Sequence, residues 1–205
     1  MRRIFTRSLY EPFEREAIDK LKEYLKKKAP NIYYPDELLL RFNYAGQFHF
    51  SEVTERVKLY EEWHQNELIT GLNKLGRNVL ELGHLYAYGR DYDYSPVVIV
   101  RPTRCDPKKY EEGNYLSAVA NLLAPLEKHM LVGGVIEKWN VMVDFESKKV
   151  AANMEAIMKL ITKVLHAYPL RLKRVLFINV GNGTNSPIIT QIIALIKRFD
   201  QDVQV

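Results

Sequence analysis

The chain has a single cysteine, Cys105, among 205 residues. One thiol closes no internal disulfide and builds no cysteine-based zinc cage, which fits a reducing compartment. Long apolar runs are missing too: no segment approaches the roughly 20 unbroken apolar residues of a bilayer-spanning helix. A secretory signal is not expected, because Arg15, Lys20 and several acids interrupt the start. Arg2, Arg3, Arg7 and Ser8 suit the opening of a mitochondrial presequence, but Glu11, Glu14 and Glu16 follow at once and such presequences are poor in acids. The reading preferred here is a basic edge on a surface helix in a cytoplasmic protein, with a mitochondrial location as the alternative.

Catalytic and metal motifs are also scarce. His49, His64, His84, His129 and His166 never stand three or four residues apart, and no acid joins them at a metal-ligand spacing. No serine sits in a Gly-x-Ser-x-Gly elbow. Gly181-Asn182-Gly183 lies between a strand pattern and a helix pattern, where phosphate loops occur, yet the third glycine and the P-loop lysine are absent. The segment reads as a turn, with Thr184, Asn185 or Ser186 capping the helix. Cys105 lies in a Thr-Arg-Cys-Asp-Pro turn, where Arg101 and Arg104 would lower its pKa. It reads as a structural thiol. No catalytic residue, metal ligand or cofactor site emerges, so an enzyme is not expected.

What is present is an ordinary globular balance, with 47% hydrophobic and 27% charged residues. Lysine and arginine outnumber the acids by 30 to 25, a net charge of +5. That mild excess favours an anionic membrane surface or an acidic partner and falls short of a nucleic-acid stripe. The first part reads as helical. Residues 11–28 place Phe13, Ala17, Leu21 and Leu25 near helical spacing, and Pro30 stops that helix. Asp36 is expected to cap a helix over 37–44 that Gly46 ends. Ser51 is expected to cap the next, with Val53, Val57, Tyr60 and Trp63 on its apolar face.

Near residue 89 the pattern switches. Gly89, Asp91, Asp93, Ser95 and Pro96 are turn residues. Tyr86, Tyr88, Tyr92 and Tyr94 crowd this loop, to stack on a ligand or to pack the loop over the core. Strands are expected over 97–100, 138–145 and 174–180, with a fourth opening at 203–205. Helices are expected over 114–130, broken or kinked at Pro125, over 151–167, and from Pro187 to Phe199. This alternation predicts an α/β fold: a mainly parallel sheet flanked by helices, with right-handed crossovers, behind an all-helical region over residues 1–80. The last helix carries apolar residues around more than one face, so it is either wholly buried or able to trade a face with a membrane.

The order of motifs resembles the CRAL-TRIO family. Leu38-Leu39-Leu40-Arg41-Phe42 ahead of Phe48-His49-Phe50 is similar to the family's helical leader, and Trp63 to its tryptophan one helix later. Asp93-Tyr94-Ser95-Pro96-Val97-Val98 resembles the turn into the first sheet strand. Val141-Met142-Val143-Asp144 resembles the second strand, and Tyr168-Pro169-Leu170-Arg171-Leu172 the tyrosine-proline turn ahead of a strand ending in Ile178-Asn179. The resemblance implies a domain over 81–205 that binds a hydrophobic lipid over a parallel sheet, under a mobile gate helix. It implies a floor of Val98, Val100, Val141, Val143 and Phe177, and a gate of Ile189, Ile192, Ile193 and Ile196. Lys197 and Arg198 would meet a headgroup or a membrane surface. Tyr44, Gly46 and Lys159 stand where phosphoinositide binders of the family carry helpful charges, so preference for such headgroups is expected to be weak. The sequence stops at Val205, before the family's final strand-helix segment. The alternative to lipid transfer is therefore a non-catalytic structural or accessory subunit whose protein partner covers the C-terminal edge.

Overall fold

The computed structural model describes residues 2–28, 33–105, 112–150, 154–181, 183 and 185–205. Three helices form the leader: α1 (Pro12–Lys28), α2 (Asp36–Ala45) and α3 (Phe50–Trp63). Their core gathers Ile18, Leu21 and Leu25 of α1, Leu39, Leu40 and Phe42 of α2, and Val53 and Val57 of α3, with Phe5 and Leu170 from outside the helices. The buried stripe of α1 is rotated from the expected one: Phe13 is 53% exposed, while Glu14 is fully buried. The reason is electrostatic. Glu14 turns inward to accept from Arg2 Nη1 (2.5 Å), Tyr44 Oη (2.6 Å) and the N–H of Glu11 (2.8 Å). Neither expected cap forms. Asp36 is the first helical residue and pairs instead with Arg15 (3.0 Å) and Lys22 (2.6 Å), and α3 begins at Phe50, ahead of Ser51.

A π-helical segment, His64–Ile69, continues α3 and leads to α4 (Lys74–Glu81), capped by Asn73 Oδ1 on the N–H of Gly76 (2.6 Å). A Cβ on Gly76 would stand 3.0 Å from the Asn114 carbonyl oxygen, so glycine lets α4 lie close on the helix that follows β2. The sheet has the order β1-β2-β3-β4, with strands Leu85–Arg90, Pro96–Val100, Trp139–Asp144 and Leu172–Ile178. β2, β3 and β4 are parallel neighbours, as expected, and α5 (Glu112–Met130) and α6 (Met154–Ala167) connect them. After β4 comes α7 (Ser186–Phe199).

Several local expectations are corrected. Tyr86 and Tyr88 are not loop residues but part of β1, antiparallel to β2 and bulged between Ala87 and Gly89, where Gly89 has φ +117°. Pro125 neither ends nor interrupts α5; it sits on an exposed face, where water can serve the carbonyl left without an N–H partner. The expected strand at 203–205 is reduced to a single parallel bridge of Gln204 to Arg174, with the Val175 N–H donating to the Gln204 carbonyl at 2.8 Å. The expected helix start at 151–153, the stop at Pro30, Asn182 of the turn and Thr184 as a cap lie outside the described residues. Asn185 does not cap with its side chain. It is fully buried and ties Val150 N–H and the Lys148 and Val180 carbonyls together.

The β1–β2 turn is held by one carboxylate. Asp91 accepts from the N–H groups of Asp93 (2.9 Å) and Ser95 (2.7 Å), from Asn140 Nδ2 (2.8 Å) and from Lys173 Nζ (3.2 Å). A second carboxylate joins leader to sheet. Glu137, 3% exposed, receives Arg41, which is fully buried, and the N–H groups of Phe5 (2.8 Å), Thr6 (2.7 Å) and Gly134 (3.0 Å). Burial and nearby Arg171 depress Arg41 to about 9, still charged at neutral pH. The backbone donors and Arg41 outweigh burial at Glu137 and hold it below the usual carboxylate range.

Candidate functional site

Strand alternation sends every second residue to the same face of the sheet. The register aligns Val98, Val141 and Val175 in one row and Val100, Val143 and Phe177 in the next. These rows face α5, α6 and α7, and between them lies a cavity of about 290 Å³. Its floor is Val98 and Val100 of β2, Trp139, Val141 and Val143 of β3, and Leu172 and Val175 of β4. Tyr115, Val119 and Leu123 of α5 line it at successive turns, as do Ile188, Ile192 and Ile196 of α7. Ile157, Leu160, Ile161, Val164 and Leu165 of α6 complete the wall.

The two ends of the cavity differ. At the strand starts it is closed by Trp139, Tyr168, Leu172 and Ile196, each at most 9% exposed. The Trp139 and Tyr168 rings meet edge to face at 5.4 Å, and Trp63 meets Tyr168 at 6.0 Å from outside the cavity. At the strand ends the lining residues Arg101, Cys105, Tyr115, Ile157 and Ile188 are only half-buried. The mouth therefore opens at the carboxyl ends of the parallel strands, the usual ligand end of such sheets.

Carbon dominates this wall. Among the described residues no acid and no lysine lines it, and Arg101 is the one lining residue with a permanent charge. His84, near the mouth, is pushed down by burial and then by the charge of Arg104, so it is neutral at physiological pH; its Nδ1 lies 3.4 Å from Tyr115 Oη. Among the described residues no group of three His, Cys, Asp or Glu side chains could hold a metal ion, and no helix is long and apolar enough to cross a membrane. The arrangement suits holding an apolar molecule out of water.

Of the expected lining residues, Val98, Val100, Val141, Val143, Ile192 and Ile196 line the cavity. Phe177 shares the Val143 row but packs into the core, its ring 6.3 Å from Phe145. Ile189 is half-buried against the same core, and Ile193 is half-buried on α7; neither reaches the cavity wall. Lys197 Nζ donates to the carbonyls of Gln201 (3.0 Å) and Val203 (2.6 Å), while Arg198 is exposed. Tyr44 donates to Glu14, and Lys159 pairs with Glu155 on the surface at 2.9 Å. The α5 and α6 walls were not anticipated, although Ile157, Leu160, Ile161 and Val164 form an i, i+3, i+4, i+7 stripe on α6 that signals a buried face.

Two comparisons with known proteins agree with this geometry. Residues 80–199 match the CRAL/TRIO domain. The crystal structure of Sfh5 is similar over 94% of this chain and 77% of its own, with a TM-score of 0.58 and 16% sequence identity, a likeness of fold. No curated protein matches at a significant level. Since the family match spans more than half of the chain, the protein belongs to the CRAL/TRIO family, whose members bind and transfer lipids.

Proposed function

We propose that the protein holds one hydrophobic lipid in the cavity between the sheet and α5, α6 and α7, and carries it between membranes with α7 as the moving wall. The observation that carries this reading is the carbon-lined cavity, closed at the strand starts and open at the strand ends. An apolar chain that hides roughly 300 Å² there gains about 7 kcal/mol at ~25 cal/mol per Å², before the cost of immobilising it. Such a gain holds a lipid in water and still permits release at a membrane.

The position of α7 supports its part. Gly181 and Gly183, at φ +72° and +80°, precede it, and element-terminal residues of this kind absorb hinge motion. Only Ile192 and Ile196 of α7 are buried. Ile189, Ile193 and Leu195 are half-buried, so α7 has a second apolar flank to offer a bilayer. The test is mass spectrometry of lipid extracted from the native protein, beside transfer of a fluorescent lipid between vesicles. One lipid per chain and measurable transfer are expected. Protein without lipid, inert in the transfer assay, would refute the proposal.

A further inference from the structure

The sheet has a second face, turned away from the cavity. The register sets Tyr86, Ile99, Met142 and Leu176 in one row across all four strands of that face. Ile99 is buried between its neighbours, but Tyr86 and Met142 are half-buried and Leu176 is 39% exposed. Among the described residues, none of the four belongs to a hydrophobic cluster with a helix. A parallel sheet is apolar on both faces because both are normally covered, and here the helices α5, α6 and α7 serve only the cavity side. Two residues on from Ile99 and Met142, the same face carries Arg101 and Asp144. The Arg101 guanidinium lies over the Tyr86 ring at 5.2 Å, and its Nε donates to Asp144 Oδ2 across 3.4 Å. Among the described residues, Nη1 and Nη2 of Arg101 have no hydrogen-bond partner. Asp144 Oδ1 accepts from Asn179 Nδ2 and the N–H of Glu146, each at 2.9 Å, which leaves Oδ2 with the long Arg101 bond. Donor and acceptor are thus both half-used within the chain.

We infer that a second copy of the chain covers this face, related to the first by a two-fold axis that runs along the strands between β2 and β3. Such an axis lays β2 on the second copy's β3 and β1 on its β4, level for level. Ile99 then meets Met142, and Tyr86 meets Leu176. Arg101 meets Asp144, once from each side, so the two free guanidinium nitrogens face the underused carboxylate oxygen. At the other border of the row, the long side chain of Arg174 comes opposite Gly89, which has none. A two-fold axis across the strands would set Arg101 on Val97 instead and pair no charge, so complementarity selects the first arrangement. The face covers about 400 Å² in projection, from four strands at ~4.8 Å and about six residues at ~3.3 Å. That is the small end of specific interfaces, and the dimer is expected to be reversible. Because the axis follows the strands, both cavity mouths open at the same end of the dimer. The pairing does not depend on the cavity being loaded.

Sedimentation equilibrium of the wild-type chain, from micromolar to near-millimolar concentration, tests the inference. A monomer–dimer equilibrium is expected. Leu176→Glu changes an exposed position, so circular dichroism should be unaltered, while the buried carboxylate raises the dimer dissociation constant about tenfold or more. Arg101→Glu and Asp144→Arg should each be monomeric alone, because like charges then oppose across the axis. Their equimolar mixture should dimerise again, since it restores an opposite pair on both sides. A wild-type chain that stays monomeric throughout would overturn the inference and leave the face to a different protein or a lipid surface, a result that needs no variant. A dimer that folded Leu176→Glu leaves intact would overturn it too, by placing the contact elsewhere. So would a mixture of the two folded charge variants that remains monomeric.

Discussion

Replacing Arg41 by Met and, separately, Glu137 by Leu measures what fastens the helical leader to the sheet. The two residues are 0% and 3% exposed, so neither has water to fall back on. Arg41 also donates to the Leu170 carbonyl at 3.2 Å and lies over the Phe5 ring at 4.2 Å. In Arg41→Met the carboxylate keeps its three backbone donors, from Phe5, Thr6 and Gly134. The cost should sit at the low end for a broken buried pair, about 3 kcal/mol. Glu137→Leu does more harm. It strands a buried guanidinium and removes the acceptor of three N–H groups, each worth ~1–3 kcal/mol when left unsatisfied. A loss above about 5 kcal/mol is expected, a large part of the whole stability of an ordinary domain. Urea melts followed by circular dichroism and by fluorescence of Trp63 and Trp139 give both values. Equal effects of the two changes, or losses under about 1 kcal/mol for both, would refute the argument.

Other outcomes follow from the same geometry. Ile192→Asp puts a carboxylate into an apolar wall and should cost several kcal/mol together with lipid loading, whereas Ile193→Asp, outside the wall, should keep more stability; thermal melts and extracted lipid check the pair. Val141→Phe adds a ring to the floor and should reduce extracted lipid without lowering the melting temperature of the empty protein; full loading would contradict the assigned cavity. Burial and then Arg56 hold His166 down at about 4, so as pH falls below about 6.5 the unfolded chain binds a proton that the folded one refuses. This part of the stability is whole above pH 6.5 and lost toward pH 4, and His166→Phe should flatten urea midpoints across that window. Glu137, Asp91, Asp144 and Glu146 are held below the usual carboxylate range, Glu146 at about 2 through Arg104 and Thr103. Their stabilisation is present above about pH 4.5 and disappears as pH falls toward 2, so acid unfolding monitored by circular dichroism should steepen there.

The parts of the fold that could be read from the sequence are those with one dominant signal. The runs at Val97–Val98, Val141–Val143 and Val175–Phe177 are buried from the helix side and read as strands because β-branched and aromatic residues gather there. β1 stayed hidden because Leu85-Tyr86-Ala87-Tyr88-Gly89-Arg90 carries a bulge glycine inside its pattern, and an edge strand needs only half its residues apolar. α4 stayed hidden because it is short and contains Gly76, whose purpose is visible only once Asn114 is placed beside it. Asp36 and Ser51 looked like caps because local hydrogen bonding is what a sequence displays; Arg15 and Lys22 claim Asp36 from another helix. The cavity was half legible. Its floor follows from alternation, but a lining residue and a core residue share the same apolar chemistry, so Phe177, Ile189 and Ile193 could not be told from Ile192 and Ile196.

The clasp at Glu137 sets an order of events during synthesis. Residues 2–45 leave the ribosome long before Glu137, yet Phe5, Thr6 and Arg41 have their partner there, 132, 131 and 96 positions away, and Leu170 completes the leader's apolar cluster. Until those residues are made, the nascent leader carries a guanidinium without its carboxylate and a core lacking a side. The part of the chain made first is therefore expected to settle last, and to need shelter meanwhile. Stalled chains of 1–136 should be cut readily by protease within α2 and α3, and the complete chain should resist there. Resistance in the stalled chain would show that the leader closes on its own.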